Sequence, residues 1–197
     1  KTQVGDRVIL KVKDWGSEEN GPEGEITHFI GSISDPSCDI KAAIEEFDLR
    51  STFPPKATEQ ALDWATEVPK KELKKREDLT KLTTMTIDPE TAKDFDDALS
   101  FREIKQGLYE IGVHIADVSH YVRVGKPLDD EAQERGTSVY FPHFVLPMLP
   151  EALSNGLCSL NPHVDRLCMV CDLKLSRAGR VMSYEFYPSV MHSKARL

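Results

Sequence analysis

Four aspartates lie close together in the sequence, at Asp88, Asp94, Asp96 and Asp97. Carboxylates at this spacing repel one another and raise each other's pKa, so a fold keeps them together only in water or around a shared cation. Magnesium suits such a set, because it takes a few carboxylates together with waters and substrate phosphate oxygens. One or two such ions can activate a water and stabilise the leaving oxygen of a phosphodiester. The spacing therefore predicts a magnesium site for cutting phosphodiester bonds.

The acidic segment is a poor match to two familiar aspartate motifs. An EF-hand calcium loop needs Asp or Asn at its fifth position and Gly at its sixth, and a count from Asp88 places Ala92 and Lys93 there. A phosphoaspartyl transferase would have an apolar strand directly before its aspartates, whereas residues 91–93 are Thr-Ala-Lys. A solvated acidic turn stays open as an alternative. The apolar segments on both sides favour a loop that is anchored in a core.

The elements around the aspartates indicate mixed α/β structure. Residues 82–87 are β-prone and lead into Asp88, and residues 98–104 return to apolar structure. Residues 108–118 predict a buried strand in which every second residue is apolar. These alternating residues are Tyr109, Ile111, Val113 and Ile115. Further along, the sequence predicts a helix at 128–135, an extended loop at 139–149, and a hairpin of 167–175 and 181–187 around Ala178-Gly179.

The residues before 82 divide into a β-rich part and a charged helical part. Residues 1–53 predict a strand at 4–12, a turn at 20–24, a strand at 26–30 and a short helix at 40–47 capped by Asp39. In residues 54–81, helical spacing of Ala57, Ala61, Leu62, Ala65 and Val68 predicts a helix that ends at Pro69. The next run holds four lysines and Arg76, and is interpreted as a solvated linker face, with phosphate contact as the alternative.

The overall charge weighs against a polyanionic partner. The net charge is −8 and the pI is near 5.3, and an acidic chain is a poor non-specific phosphate binder. A metal that neutralises the aspartates, or a basic surface on other segments, would reconcile this charge with a nucleic acid partner. No apolar run is long enough to span a bilayer, so no membrane partner is expected.

The four cysteines are interpreted as free thiols, which suits a reducing, cytoplasmic environment. Cys168 and Cys171 form a C-x-x-C pair, a spacing that is known from zinc sites. The surrounding residues predict a strand, on which positions three apart point to opposite faces. The two sulfurs would then diverge, so we expect buried structural cysteines here.

Residues 86–98, with the spacing D-x5-D-x-D-D, resemble the active-site signature of the ribonuclease II and ribonuclease R family of exoribonucleases. The resemblance continues through further blocks in the family's order and is closest to the ribonuclease R branch. These blocks are residues 112–122, 135–142, 147–151, 153–162 and 164–167. Several matching blocks that follow the family's order across residues 82–197 are not expected by chance.

This resemblance implies a magnesium-dependent hydrolase that degrades single-stranded RNA from the 3′ end and releases nucleoside 5′-monophosphates. It implies that Asp88, Asp94 and Asp97 hold the metal directly or through water. Asp96, which belongs to the same ligand set, is implied to be the aspartate most critical for the chemistry.

The resemblance places Tyr140 near the terminal nucleotide, where an aromatic ring can stack on any base. A core aromatic beside Phe141 and Phe144 is the alternative for this residue. His114 and His120 flank Asp117 and are interpreted as one hydrogen-bonded structural set, since a metal-bound water needs no histidine base. Asp117 and Arg166 are expected to support the wall of the site.

The architecture implied by the resemblance is α+β. Residues 1–53 would be the remnant of a cold-shock or OB-like β-barrel, residues 54–81 a linker, and residues 82–197 the first part of a mixed α/β catalytic domain. Such a domain would take an arginine and a glutamate from residues beyond 197, and a C-terminal RNA-binding barrel would follow. Little activity is therefore expected from these residues alone. A non-catalytic RNA-binding or scaffold fragment is the alternative.

Overall fold

The computed structural model describes residues 2–64 and 67–197, which form two compact units. The first unit holds the residues up to Thr52 together with Val139–Leu146, and the second holds Phe53–Ser138 and Pro147–Leu197. The strands are β1 Asp6–Asp14, β2 Glu23–Ser32, β3 Glu77–Leu79, β4 Thr84–Thr86, β5 Asp97–Lys105, β6 Leu108–Ala116, β7 Val139–Phe141, β8 Phe144–Leu146, β9 Asp165–Ser176, β10 Val181–His192 and β11 Ala195–Arg196. The helices are α1 Ser37–Glu46, α2 Pro55–Leu62, α3 Lys70–Leu73, α4 Val118–Tyr121, α5 Pro127–Arg135 and a π-helix at Ala152–Leu157. Within the described residues, none of these helices is long and apolar enough to cross a membrane.

The first unit begins with an antiparallel hairpin of β1 and β2, followed by α1. The predicted order of strand, turn, strand and helix is confirmed, but the predicted cap is wrong. The helix begins at Ser37, so Asp39 lies inside its first turn. Asp35 precedes the helix and accepts hydrogen bonds from the Ser37 backbone N–H and hydroxyl, both at 2.9 Å. Asp39 instead forms an ion pair with Arg7.

The segment predicted as an extended loop at 139–149 contains a short hairpin of β7 and β8. Its apolar residues pair across the two strands, and the Phe141 and Phe144 rings stack with centroids 6.2 Å apart. Pro142 falls in the connecting turn, where a residue without a backbone N–H costs no sheet hydrogen bond. The prolines therefore mark the ends of these strands, whereas the sequence interpretation took them to exclude strands.

The second unit is built on a seven-stranded sheet with the order β11-β4-β5-β6-β9-β10-β3. Neighbouring strands are antiparallel, except that β11 runs parallel to β4 and β3 runs parallel to β10. The predicted hairpin at 167–187 is confirmed as β9 and β10, and Gly179 in its turn takes a φ of 75°. The aspartate loop connects the adjacent strands β4 and β5, so the sheet fixes both of its ends.

Two apolar clusters pack on the sheet. Leu167 of β9 belongs to the helix-side core, together with Ala57, Ala61, Tyr121, Leu128, Leu153, Leu157, Cys158 and Val190. Cys168 belongs to the loop-side core, together with Phe95, Ala98, Ala116, Leu160, Val170 and Met191. Because consecutive residues of a strand point to opposite faces, β9 contributes side chains to both clusters.

The two faces of β6 are reversed relative to the prediction. Ile115 is 45% exposed, whereas Gly112, His114 and Ala116 are buried. A Cβ atom added to Gly112 would lie 2.4 Å from Ser100 Oγ and 2.8 Å from His114 Nε2. The buried face therefore has room only for glycine at this position, and the larger apolar side chains occupy the other face.

The predicted divergence of the two sulfurs in the C-x-x-C pair is confirmed, but the expected burial is complete only at Cys168. Cys168 is buried and Cys171 is half-buried, and both lie on β9 at positions that face opposite sides of the sheet. Both thiols are free, as are those of Cys38 and Cys158. The Cys168 Sγ shares a hydrogen bond with the Ser189 hydroxyl at 2.9 Å.

The segment before the sheet is only partly the solvated linker that was expected. The helix α2 ends at Leu62, and Ala65 of the expected pattern lies outside the described residues. The lysines at 70, 71, 74 and 75 are exposed, as predicted. Arg76 is not, because its side chain is 9% exposed and pairs with Asp117 at 2.6 Å.

Two leucines in neighbouring helices offer a matched test of the helix-side core. Leu128 in α5 is fully buried, whereas Leu62 in α2 is 67% exposed. Leu128→Ala should lower the free energy of unfolding by about 2–5 kcal/mol, because it leaves a cavity. Leu62→Ala removes the same atoms from the surface and should change the free energy of unfolding by less than about 0.5 kcal/mol. Urea unfolding followed by circular dichroism measures both, and equal losses would contradict a core centred on Leu128.

Candidate active site on the aspartate loop

The loop that carries the four aspartates is held at both ends by backbone hydrogen bonds. At its start, the Asp88 N–H donates to the Leu197 carbonyl at 3.1 Å, and the Leu197 N–H donates to the Thr86 carbonyl at 2.9 Å. At its end, the Ala116 N–H donates to the Asp96 carbonyl at 2.9 Å. The prediction that strands lead into and out of the aspartates is confirmed by β4 and β5.

Phe95 anchors the middle of the loop. Its ring is buried in the loop-side core with Leu160, and the Leu160 N–H donates to the Phe95 carbonyl at 2.8 Å. The neighbours on either side, Asp94 and Asp96, are half-buried and exposed respectively. Burial of one aromatic ring thus fixes the backbone between Asp94 and Asp96.

The negative charges of the cluster act on Asp96. The pKa of Asp96 lies above its ordinary value, first because partial burial disfavours its charged form, and then because Asp94, Asp97 and Asp88 add negative charge. The direction of this shift agrees with the expected repulsion between the carboxylates, which is its second cause after burial. Asp96 therefore takes up a proton more readily than an isolated aspartate.

The donor set fits a magnesium ion in its chemistry. Asp88 Oδ2 is buried and has no hydrogen-bond partner, which is costly for a carboxylate oxygen unless a proton or a cation is supplied. Across residues 2–64 and 67–197, no three Asp, Glu, His or Cys side chains lie close enough to hold an ion by themselves. These oxygens fit an ion whose coordination is completed by waters and substrate oxygens, as is usual for magnesium.

A cleft of about 450 Å³ borders the loop and is lined by Ala92, Lys93, Phe95, Asn155, Asn161, Pro162 and Arg196. The Arg196 guanidinium lies 5.0 Å from the centroid of the Phe95 ring and donates to the Pro89 carbonyl. The sequence analysis did not single out Arg196, Asn155 or Asn161. The two asparagines belong to block 153–162, which gave a signal, whereas no motif pointed to the arginine.

A π-helix borders this cleft through Asn155. Such helices are rare and often occur at functional sites. Arg166 donates from Nε to the carbonyls of Gly156 and Ser159, both at 3.0 Å, and from Nη1 to the Asp165 carbonyl at 2.9 Å. These bonds agree with the expectation that Arg166 supports the wall of the site. The π-helix itself was missed, because its spacing leaves no clear period in six residues.

The expected single set of His114, Asp117 and His120 is wrong, because the strand β6 ends before Asp117. His114 is buried and shares a hydrogen bond with the Ser100 hydroxyl at 2.9 Å. Asp117 and His120 instead meet Arg76, at 2.6 Å and 3.5 Å. The histidines therefore take part in two separate polar contacts.

The charged form of the Asp117 carboxyl group is stabilised by its neighbours. Burial alone would raise its pKa, but hydrogen bonds from the Ser119 hydroxyl and from Arg76 outweigh that effect and lower the pKa below its ordinary value. The Ser119 hydroxyl donates at 2.7 Å. The carboxylate thus stays charged and holds the buried Arg76, which joins the segment before the sheet to α4.

Tyr140 lies on β7 and is 63% exposed, so the alternative of a core aromatic is wrong. The rings of Phe141 and Phe144 stack on each other. An exposed aromatic ring can stack on a base. The place of Tyr140 beside a terminal nucleotide stays a prediction.

Comparison with known families divides the chain into two matched segments. A family model described as RNB domain matches residues 76–197, and one described as Cold shock domain matches residues 1–54. The expected fold class, part of a cold-shock barrel followed by part of a mixed α/β domain, is confirmed by these matches and by the sheet of the second unit.

Individual relatives are similar over nearly the whole chain. Ribonuclease R of Vibrio parahaemolyticus is 45% identical over 195 residues, which is 99% of this chain and 23% of the relative. The structure of Mycoplasma genitalium RNase R in complex with ribose methylated single-stranded RNA matches with a TM-score of 0.88 at 33% identity, over 98% of this chain and 30% of that chain. Yeast Ssd1, described as a pseudonuclease, matches with a TM-score of 0.75 at 19% identity, over 98% of this chain and 25% of that chain, and shows the fold alone. The chain spans about a quarter of the length of the curated relatives it matches.

The Arg76–Asp117 pair gives a pH-dependent test. Because the pKa of Asp117 is lowered in the fold, the stabilisation is complete above the ordinary aspartate pKa of about 3.9 and is lost as the pH falls through the lowered value. Asp117→Asn should cost about 3–5 kcal/mol near neutral pH, because it leaves Arg76 buried without its counter-charge.

The difference in the free energy of unfolding between wild type and Asp117→Asn should shrink as the pH approaches about 3, because the Asp117 carboxylate then becomes protonated. Urea unfolding of both proteins across this pH range measures it. Asp63→Asn, at an exposed position, is the control and should change little. A loss that does not vary with pH would contradict charge as the source of the stabilisation.

Proposed function

Since this chain belongs to the RNB domain family, which includes ribonuclease R, we propose that it carries the acidic part of an exoribonuclease active site. The proposed reaction is magnesium-dependent hydrolysis of single-stranded RNA from the 3′ end, with release of nucleoside 5′-monophosphates. The observation that carries the proposal is the aspartate loop, a short segment with four aspartates that is held at both ends by the fold and leaves Asp88 Oδ2 buried without a partner. A solvated turn would gain nothing from such an arrangement.

The proposed ligands of the metal are Asp88, Asp94 and Asp97, bound directly or through water, with Asp96 in the same set. When bound, magnesium would activate a water and stabilise the leaving oxygen of the phosphodiester. Asp96 is the proposed critical residue, and its carboxylate is the proposed acceptor of a proton from the attacking water. The unpartnered Asp88 Oδ2 supports a cation in this place.

Single-stranded RNA is the proposed partner. RNase R of Mycoplasma genitalium has been solved with single-stranded and with double-stranded RNA, which supports an RNA substrate. The exposed Tyr140 ring is proposed to stack on the terminal base, a contact that tolerates every sequence. A net charge of −8 provides little attraction for phosphates. We therefore propose that these residues contribute the acidic ligands and the Tyr140 ring to RNA binding, and not a basic surface.

The proposed location is the cytoplasm, on the evidence of the cysteines. All four are free. Burial raises the pKa of Cys158 to about 12 and that of Cys168 to about 11, so both thiols stay protonated and unreactive at neutral pH. Free, unreactive thiols suit a reducing compartment.

A non-catalytic RNA-binding or scaffold role is the second candidate. Yeast Ssd1 shares the fold and is described as a pseudonuclease, and a fold does not by itself imply catalysis. The two candidates differ at the aspartates. The scaffold role predicts neither magnesium binding nor a change of stability with magnesium, whereas the enzyme predicts both.

Substitution of Asp96 tests the proposed catalysis. In a protein of full ribonuclease R length that carries these residues, Asp96→Asn should lower the rate of 3′ degradation by about 10²–10⁴-fold or more, because it removes the proton acceptor. RNA affinity should persist, since the substitution adds no clash. Glu90→Gln is the matched control, because it removes one negative charge from an exposed position of the same loop and should leave the rate nearly unchanged.

Two measurements decide between the candidates. Single-turnover hydrolysis of a labelled RNA gives the rate, and calorimetric titration of wild type with magnesium gives the metal affinity. Retained hydrolysis in Asp96→Asn would rule out the assigned role. Absence of a magnesium-binding signal in the wild type would favour the scaffold.

A further inference from the structure

Ser159 lies just after the π-helix and is fully buried beside the aspartate loop. Its hydroxyl accepts a hydrogen bond from the Phe95 N–H at 2.9 Å and donates one to the Lys93 carbonyl at 3.1 Å. The Lys93 carbonyl belongs to the peptide group before Asp94, and the Phe95 N–H belongs to the peptide group after it. One hydroxyl therefore holds both peptide groups that flank a proposed metal ligand.

Backbone groups continue this clamp along the loop. The Leu160 N–H donates to the Phe95 carbonyl at 2.8 Å, and the Ala116 N–H donates to the Asp96 carbonyl at 2.9 Å. The peptide groups before and after Asp96 are thus held as well. Ser159 differs from these donors because its contribution comes from a side chain, which a substitution can remove without altering the main chain.

The position of Ser159 is itself fixed. Its carbonyl accepts hydrogen bonds from Arg166 Nε at 3.0 Å and from the Asn161 N–H at 2.8 Å. Its own N–H donates to the Gly156 carbonyl in the π-helix at 3.2 Å. These hydrogen bonds fix the backbone of Ser159, and its hydroxyl in turn fixes the loop. This explains why a buried arginine and a rare helix type lie behind a short acidic loop.

We propose that Ser159 is a positioning residue for the magnesium site, because its hydroxyl sets the backbone on both sides of Asp94 and so aims the Asp94 carboxylate. The inference rests on the proposed function of these aspartates. Magnesium demands near-ideal octahedral geometry, so rotation of the peptide groups beside a ligand lowers its affinity. Groups that orient metal ligands typically contribute about 10–100-fold to affinity.

Two serines of the second unit provide a matched pair of variants for the test. Ser159→Ala removes both hydrogen bonds to the loop. Ser189→Ala removes an equally buried hydroxyl, which is bonded to Cys168 Sγ at 2.9 Å and belongs to β10. Calorimetric titration with magnesium of a protein of full ribonuclease R length that carries these residues should show affinity that is about 10–100-fold weaker in Ser159→Ala and unchanged in Ser189→Ala. Amide hydrogen exchange at Phe95 should become faster only in Ser159→Ala.

The outcomes separate this inference from the proposed function. If the wild type binds magnesium and Ser159→Ala binds it equally well, the positioning role is overturned while the aspartate site stands. If the wild type binds no magnesium, both fail. If Ser159→Ala does not fold, Ser159→Cys replaces it, since a thiol keeps a donor and an acceptor at this position but forms weaker hydrogen bonds. Affinity in Ser159→Cys equal to that of the wild type would then overturn the role, and affinity between that of the wild type and the value expected for alanine would support it.

Discussion

The mutual repulsion of four carboxylates on one short loop is the constraint on which this structure depends. Left to itself, the segment from Asp88 to Asp97 would lower its electrostatic energy by spreading apart. The fold opposes this with one buried aromatic ring, Phe95, and with hydrogen bonds to the peptide groups on both sides of it. Most of the second unit can be understood as the support for that anchor, since β6, β9 and the residues after the π-helix all meet the loop-side core.

The features that the sequence predicted well are those set by local chemistry. The D-x5-D-x-D-D spacing predicted the acidic loop, and glycine turns with alternating apolar residues predicted the hairpin of β9 and β10. Strand parity predicted that Cys168 and Cys171 would face opposite sides. Each of these inferences needs only residues within a few positions of one another, which is why no knowledge of the tertiary structure was required.

The features that were missed depend on partners that are distant in the sequence. Arg76 was grouped with a solvated run of lysines, because its partner Asp117 stands 41 residues away. The buried face of β6 was misassigned because large apolar side chains usually mark the core, whereas this face carries Gly112, where close packing leaves no room for a Cβ atom, together with the polar His114. Ser159 lies in block 153–162, but nothing in the sequence distinguished it from its neighbours there. Its role becomes visible only when the peptide groups beside Asp94 are brought next to it.

The cationic Arg196 contacts the loop at the Pro89 carbonyl, whereas the groups that hold the peptide units beside Asp94 and Asp96 share another property, which bears on how the site would work. The Ser159 hydroxyl and the amides of Leu160 and Ala116 are all neutral. A lysine or arginine in their place would hold the loop equally well, but it would neutralise the carboxylates and compete with a cation for them. Neutral clamps hold the geometry and leave the negative charge of the loop in place. The electrostatic cost remains visible in the raised pKa of Asp96 and in the unpartnered Asp88 Oδ2. The fold thus keeps at this loop an energetic strain that a bound cation would relieve, and binding of the ion would stabilise the whole unit by the same linkage.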